Sequence, residues 1–163
     1  MKKFLAIIVI LCIAAAALGC GNKDIEGGRK ALNVYLTSVK NGKYDEAYEL
    51  LCRQDKEKIS REAFNSWFDA VAEIQEVKTF KISSSADVFK NMTVYEDKYT
   101  KALGFTVTQE LDKKIAGVEV KPYGEEEYKI MAAFENGEWK IFTGYEDLNT
   151  NTDKLLEAAE VNK

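Results

Sequence analysis

The chain has 163 residues, of which 46% are hydrophobic and 31% are charged, with 27 acidic and 23 basic side chains and a formal net charge of −4. An acidic chain without basic clusters is poorly suited to the phosphate backbone of nucleic acids, so we expect no nucleic-acid partner. The absence of histidine excludes Ser-His-Asp and Cys-His catalysis. Of the three cysteines, only Cys52 would stay free if the N-terminal segment is processed as described next, so a thiolate zinc site is implausible.

The N-terminus has the layout of a secretory signal peptide. Lys2 and Lys3 precede an apolar run over residues 4–19, which is shorter than the roughly twenty residues that a membrane-crossing helix needs. The sequence Ala17-Leu18-Gly19-Cys20 resembles a bacterial lipobox, in which the cysteine is diacylated and becomes the first residue of the mature protein. Two acyl chains hold a protein stably at a bilayer.

We therefore expect a signal peptide over residues 1–19, lipidation of Cys20, and an extracytoplasmic lipoprotein anchored in a bacterial cell membrane or outer membrane. Two alternatives stay open at this point. Ordinary signal-peptidase cleavage is compatible with an A-x-A site within residues 14–17, and the apolar run is also compatible with an uncleaved anchor. Both alternatives place the domain outside the cytoplasm.

The remaining chain is predicted to contain one domain. Residues 20–28, with Gly27 and Gly28, are interpreted as the lipidated cysteine and a short flexible tether. Residues 29–145 form the predicted domain, and residues 146–163 form a polar C-terminal tail with a short helix over 152–161 capped by Thr152.

Three amphipathic helices are predicted at the start of the domain. Apolar residues recur at helical spacing over 31–39, and Asn41-Gly42 then ends this first helix. A second helix is predicted over 44–51. A third begins after Ser60, whose hydroxyl can cap it.

Beyond Gln75 the apolar residues alternate, which predicts strands over 77–83, 103–107 and 128–134. Asn136-Gly137 predicts a tight hairpin, because these residue types tolerate the positive φ angles of such a turn. Helices followed by strands indicate an α+β fold with a mostly antiparallel sheet.

This order of elements resembles the nuclear-transport-factor-2-like superfamily, a cone-shaped α+β fold, and in particular small bacterial lipoproteins of that kind with no assigned activity. The likeness is carried by ALNVYLTSVKNGKYDEAYELL (31–51), with KNGKYDEAY joining the first two helices, and by FENGEWKIF (134–142). A cystatin-like or other helix-on-curved-sheet fold would share much of this pattern. The resemblance implies N-terminal helices packed on a curved sheet, a conical pocket between them, and a homodimer through the sheet as one option. Superfamily members include enzymes, ligand carriers and interaction modules, so the fold leaves the function open.

We expect no enzyme activity, no cofactor and no metal. Histidine is the residue best suited to proton transfer near neutral pH, and it is absent. The alternative that survives is an isomerase-like enzyme using a carboxylate/tyrosine pair in the cone. However, the strand positions predicted to face inward are apolar, with no acid among them: Leu103, Phe105, Val107, Ile130, Phe134 and Ile141.

Cys52 is the one cysteine that neither the signal peptide nor the lipid would use. It follows Leu50-Leu51 at the end of an apolar stripe, which predicts a buried and inert thiol rather than a reactive one.

The expected function is non-catalytic binding or interaction at the membrane, with either a small apolar ligand or an envelope protein as the partner. Aromatic side chains are numerous, and in a cone fold some of them would line the pocket. The residues of the predicted pocket are Tyr35, Tyr48, Trp67, Phe68, Phe105 and Tyr128. Ordinary core packing would also account for these aromatics.

Overall fold

The computed structural model describes residues 22–94, 97–120 and 126–162. The predicted signal peptide over residues 1–19 and the predicted lipidation site, Cys20, lie outside these residues. The described chain contains five helices and five strands. In chain order they are α1 (22–40), α2 (Tyr44–Glu49), α3 (Arg53–Lys58), α4 (Arg61–Ile74), β1 (Gln75–Ile82), β2 (Asp87–Val94), β3 (Asp97–Lys113), β4 (Glu127–Glu135), β5 (Glu138–Phe142) and α5 (Leu148–Val161).

The sheet is built around the long strand β3. Strands β1 and β2 pair with its two halves along one edge, β4 pairs along the other, and β5 pairs with β4. Every one of these pairings is antiparallel, and the sheet curls into a half-barrel against the helices. The predicted α+β class is confirmed, and the arrangement is consistent with a cone-shaped nuclear-transport-factor-2-like fold.

Local signals place most element boundaries correctly. Gly42 has a φ of 69° after α1, and the Ser60 hydroxyl accepts a hydrogen bond from the Ala63 N–H at 3.1 Å to cap α4. Asn136 and Gly137 have φ values of 51° and 89°, which confirms the predicted hairpin between β4 and β5.

Two elements were not predicted. Helix α3 has the sequence RQDKEK, which contains no apolar residue and therefore no amphipathic pattern. Strand β2 contains Asn91 at a φ of 53°, and its side chains are mostly exposed, so it lacks the alternation of a half-buried strand.

The prediction of a flexible tether is wrong for its described part, since residues 22–28 form the first turns of α1. The two glycines have a packing role instead. A Cβ added at Gly27 would lie 2.7 Å from Trp139 Nε1, and one at Gly28 would lie 2.7 Å from Leu103 Cδ1. Glycine lets the helix lie this close to the sheet, and Asp24 accepts a hydrogen bond from Lys101 Nζ at 2.8 Å.

The C-terminal segment is also more than a polar tail. Helix α5 begins at Leu148, and Thr152 lies inside it, where its hydroxyl donates to the Leu148 carbonyl oxygen at 2.7 Å instead of capping the N-terminus. Leu148, Leu155 and Ala159 are buried in the same core as α4. The prediction missed this because Asn and Thr residues separate the few apolar positions.

The concave face of the sheet carries the core, as predicted. Leu103, Phe105, Val107, Ile130 and Ile141 are buried, and Phe134 is half-buried. All buried residues of this core lie between Leu32 and Ala159. Among the helices of the described chain, none combines the length and apolar character needed to span a bilayer.

Candidate functional site

The six aromatics of the predicted pocket come together from five different elements, but as buried side chains. Each has at most 8% of its surface exposed. All six belong to one continuous apolar core. They are Tyr35 on α1, Tyr48 on α2, Trp67 and Phe68 on α4, Phe105 on β3 and Tyr128 on β4.

Two of these aromatics have clear packing roles. The Tyr48 hydroxyl donates to the Ile59 carbonyl oxygen at 2.8 Å, and its ring packs edge-on against Phe64. Phe68 stacks on Tyr44 with ring centroids 5.5 Å apart. These contacts join α2 to α4.

The polar groups of Tyr35, Asp55 and Tyr145 lie close together within the aromatic core. Tyr145 was not among the predicted pocket residues. The ring of Tyr145 packs edge-on against Trp67 with centroids 6.4 Å apart. Burial raises the pKa of Tyr35 and of Tyr145 well above the ordinary value, and the nearby carboxylate of Asp55 raises both further. Both phenols are therefore held neutral, as hydrogen-bonding groups of the interior.

Asp55 is a buried acid that the sequence analysis did not identify, and it comes from a helix rather than from the strand positions predicted to face inward. It lies on the unpredicted helix α3 with 1% of its surface exposed. Its Oδ2 atom accepts hydrogen bonds from the Thr143 N–H at 2.6 Å and the Thr143 hydroxyl at 2.8 Å. Burial raises the pKa of Asp55, while the bonds from Thr143 and from the Gly144 N–H oppose that rise.

The geometry gives Asp55 a structural role, because its carboxylate joins α3 to the loop that follows β5. A general base needs an oxygen within reach of a substrate proton. Oδ2 already accepts two protein hydrogen bonds, and Asp55 lines none of the three clefts described below.

Cys52 is fully buried at the N-cap position of α3, so the predicted burial is confirmed. Burial, followed by the charge of Asp55, raises the pKa of this thiol from 9.0 to about 11. Since the thiolate is the reactive species, this environment disfavours nucleophilic chemistry at neutral pH.

Three clefts open on the described surface. The α4–α5 cleft has a volume of about 410 Å³ and is lined by Trp67, Gly117, Val118, Glu119, Asn151, Lys154, Leu155 and Ala158. The α1–β1 cleft also has about 410 Å³ and is lined by Glu26, Arg29, Lys30, Asn33, Phe80 and Ile82. The α1–α4 cleft, at about 80 Å³, is much smaller, and it includes Tyr44 and Phe68.

Of the six predicted pocket residues, Trp67 therefore lines the α4–α5 cleft and Phe68 the α1–α4 cleft, whereas Tyr35, Tyr48, Phe105 and Tyr128 line none of the three. Sequence reasoning missed the remaining walls of the α4–α5 cleft, because they come from the segment after β3 and from α5. Neither segment has a local signal that indicates a cleft.

Comparison with protein-family models and with curated protein sequences finds no match for this chain. Its function therefore has to be inferred from the side chains of the domain itself.

Proposed function

We propose that this protein is a membrane-anchored extracytoplasmic lipoprotein of the nuclear-transport-factor-2-like kind, with a non-catalytic domain that binds a small apolar ligand. The lipobox-like sequence ending at Cys20 supports the anchor. The curled antiparallel sheet with helices on its concave face supports the family.

The α4–α5 cleft is the observation that carries the ligand proposal. Its volume of about 410 Å³ lies in the range of small-molecule sites. Trp67, Val118, Leu155 and Ala158 supply apolar walls. Lys154 is exposed at its edge and forms no ion pair with any described residue. Apolar walls with a few polar groups at the rim suit a small, mainly apolar molecule.

Fluorescence of Trp67 tests this ligand site. The mature chain, residues 20–163, would carry Cys20→Ser to prevent acylation and Trp139→Phe to leave Trp67 as the only indole. All buried core residues lie within this chain. The uncharged probe N-phenyl-1-naphthylamine is expected to quench Trp67 in a saturable manner.

A matched pair of variants sharpens the result. Ala158 is half-buried on a wall of the cleft, so Ala158→Phe should fill the cleft and abolish saturable quenching. Leu156→Phe adds a ring on the same helix at an exposed position outside the lining, and it should leave quenching unchanged. Equal quenching in the two variants would refute the α4–α5 cleft as the site.

The anchor is tested by intact-mass spectrometry of the protein purified from membranes of its host. A mass that begins at Cys20 and includes two or three acyl chains is expected. An unmodified mass, cleaved near residues 14–17 or intact from Met1, would contradict the anchor while leaving the ligand site to its own test.

An isomerase-like enzyme is the second candidate, because the carboxylate of buried Asp55 is close enough to Tyr35 and Tyr145 for its charge to raise the pKa of both. Such an enzyme needs the carboxylate free to take a proton. The bonds from Thr143 to Asp55 favour the non-catalytic proposal. Cyclohex-3-enone isomerisation that is lost in Asp55→Asn, with the fold retained, would reverse this preference.

The convex face of the sheet is our proposed contact for a homodimer. Phe89 on β2 is 39% exposed and lies opposite Ala102 of β3, which is buried, so the Phe89 ring is the apolar group that would make the contact. A Cβ at Gly104 would lie 3.3 Å from the Phe89 ring, which places that ring on the convex side. Sedimentation should show a dimer that Phe89→Asp converts to a monomer. A wild-type monomer at high concentration would refute this contact.

A further inference from the structure

The α1–β1 cleft combines two cations, an amide and an apolar floor, and it lies apart from the proposed ligand site. Arg29 and Asn33 are one helical turn apart on α1, and Lys30 lies on the same side of the helix, so their polar ends share one wall of the cleft. The opposite wall consists of Phe80 and Ile82 on β1.

The pairing of β1 with β3 explains why the two apolar residues face the helix. Phe80 is opposite Gln109 and Ile82 is opposite Val107, and these two β3 residues are buried on the concave face. Residues two apart in a strand point to the same side. Phe80 and Ile82 are half-buried, so each keeps surface available at the cleft.

The charge of the cleft is positive although the whole chain is acidic. Arg29 and Lys30 are exposed, and neither forms an ion pair or a side-chain hydrogen bond with any described residue. Glu26 is the one acid in the lining, which leaves a net charge of +1. A guanidinium can bind a carboxylate or phosphate through two parallel hydrogen bonds.

We propose that the α1–β1 cleft binds a single-chain alkyl anion with a carboxylate or phosphate head. Arg29 and Lys30 contact the charged head, Asn33 donates a further hydrogen bond, and the alkyl chain lies along Phe80 and Ile82. The volume of about 410 Å³ accommodates a single alkyl chain together with its head group.

Calorimetric titration with dodecyl phosphate, below its critical micelle concentration, tests this site in the mature Cys20→Ser chain. We expect saturable one-to-one binding. Octyl phosphate should bind more weakly, because each methylene in contact with an apolar floor contributes up to about fourfold in affinity.

Three variants separate this site from general surface charge. Arg29→Gln/Lys30→Gln should weaken binding about tenfold or more, whereas Lys98→Gln/Lys113→Gln, which removes equal charge from two exposed positions outside the cleft, should leave it within about twofold. Glu26→Gln should tighten binding about two- to threefold. A merely misfolded variant would not show this gain.

Several outcomes would overturn the inference. One is equal loss of affinity in the two double variants. Another is binding to vesicles of anionic lipid without any binding of the single-chain phosphate. A third is loss of dodecyl phosphate binding in Ala158→Phe but not in Arg29→Gln/Lys30→Gln, which would assign the anion to the α4–α5 cleft. The uncharged probe used for that cleft reports on it independently, so the two proposals fail separately.

Discussion

The interior around Asp55 and the α4–α5 cleft around Trp67 both combine aromatic and charged side chains. They differ in whether the charged group is closed to solvent or exposed. In the interior, the polar atoms of Asp55 are satisfied by Thr143 at hydrogen-bond distance, and the surrounding aromatics are closed to solvent. In the cleft, Lys154 forms no ion pair with any described residue and lies exposed beside an apolar wall. The interior polar groups therefore stabilise the fold, whereas the exposed ammonium of Lys154 in the cleft is not used by an ion pair with any described residue.

The largest expected effect comes from removing the interior carboxylate. Asp55→Ala would remove the acceptor of the Thr143 N–H and hydroxyl, which are part-buried, and of the Gly144 N–H. We expect a loss of about 3 kcal/mol in the free energy of unfolding, measured by urea denaturation.

Two further variants serve as controls for Asp55→Ala. Asp55→Asn keeps one acceptor oxygen and removes the buried charge, so its loss should be smaller, at about 1 kcal/mol. Asp69→Ala makes the same chemical change at an exposed position of α4 and should be nearly neutral. Equal losses in the free energy of unfolding for Asp55→Ala and Asp69→Ala would show that the interior carboxylate stabilises the fold no more than a surface one does.

The buried thiol predicts a pH dependence. The pKa of Cys52 is raised from 9.0 to about 11 in the folded state, so folding favours the protonated form and stability falls as pH rises between these values. From pH 8 to pH 10 this contributes a loss of about 1.3 kcal/mol, which Cys52→Ala should lack.

Denaturation of wild type and Cys52→Ala at both pH values measures this contribution. The difference between the two proteins should change with pH even though the buried tyrosines destabilise both at high pH. Parallel curves for the two proteins would mean that Cys52 is not held as a neutral thiol. Iodoacetamide should correspondingly label Cys52 at pH 8 only after unfolding.

Gly28 tests whether the start of α1 belongs to the interior. In an exposed helix, Gly→Ala stabilises by up to about 1 kcal/mol. Here the added Cβ would lie 2.7 Å from Leu103 Cδ1 and 3.3 Å from the Phe105 ring, both buried. Gly28→Ala is therefore expected to destabilise by about 1 kcal/mol in urea denaturation. Thr37→Ala, at an exposed position of the same helix, should be neutral or slightly stabilising. A stabilised Gly28→Ala would mean that this part of α1 behaves as an exposed helix and does not pack closely against the sheet.

Sequence reasoning succeeded where the determinant is local. The Ser60 cap, the Gly42 terminus and the Asn136-Gly137 turn each depend on a few neighbouring residues, and each was predicted. Gly28 shows why other features were not predicted. A glycine in the sequence is equally compatible with a flexible tether and with a close helix–sheet contact.

The candidate sites were less predictable, because their residues meet only in the folded chain. Asp55 and its partner Thr143 are 88 positions apart, and α3 offers no apolar pattern that would place an acid in the core. The aromatic set was predicted as a group, but whether each ring fills the core or borders a cleft depends on α5 and on the segment after β3.

The smallest effect on stability is expected from charged residues at the surface, of which Arg61 is an example. Its guanidinium forms ion pairs with Asp45 and Glu49 and lies 4.8 Å from the ring centroid of Tyr48. Hydrogen bonds from Arg61 and Lys56 lower the pKa of Glu49 to about 2, so the stability from this carboxylate is present above its ordinary pKa of 4.5 and is lost as pH falls towards 2.

Solvent screens these exposed charges, so Arg61→Ala should change unfolding much less than Asp55→Ala. Its clearest consequence is a rise in the Glu49 pKa towards 4.5, measured by carbon-detected NMR titration, with Lys43→Ala as a control that removes a cation paired with Glu46 instead. An unchanged Glu49 pKa would assign the shift to Lys56. A stability loss as large as that of Asp55→Ala would show that this surface network contributes to the fold as an interior contact does.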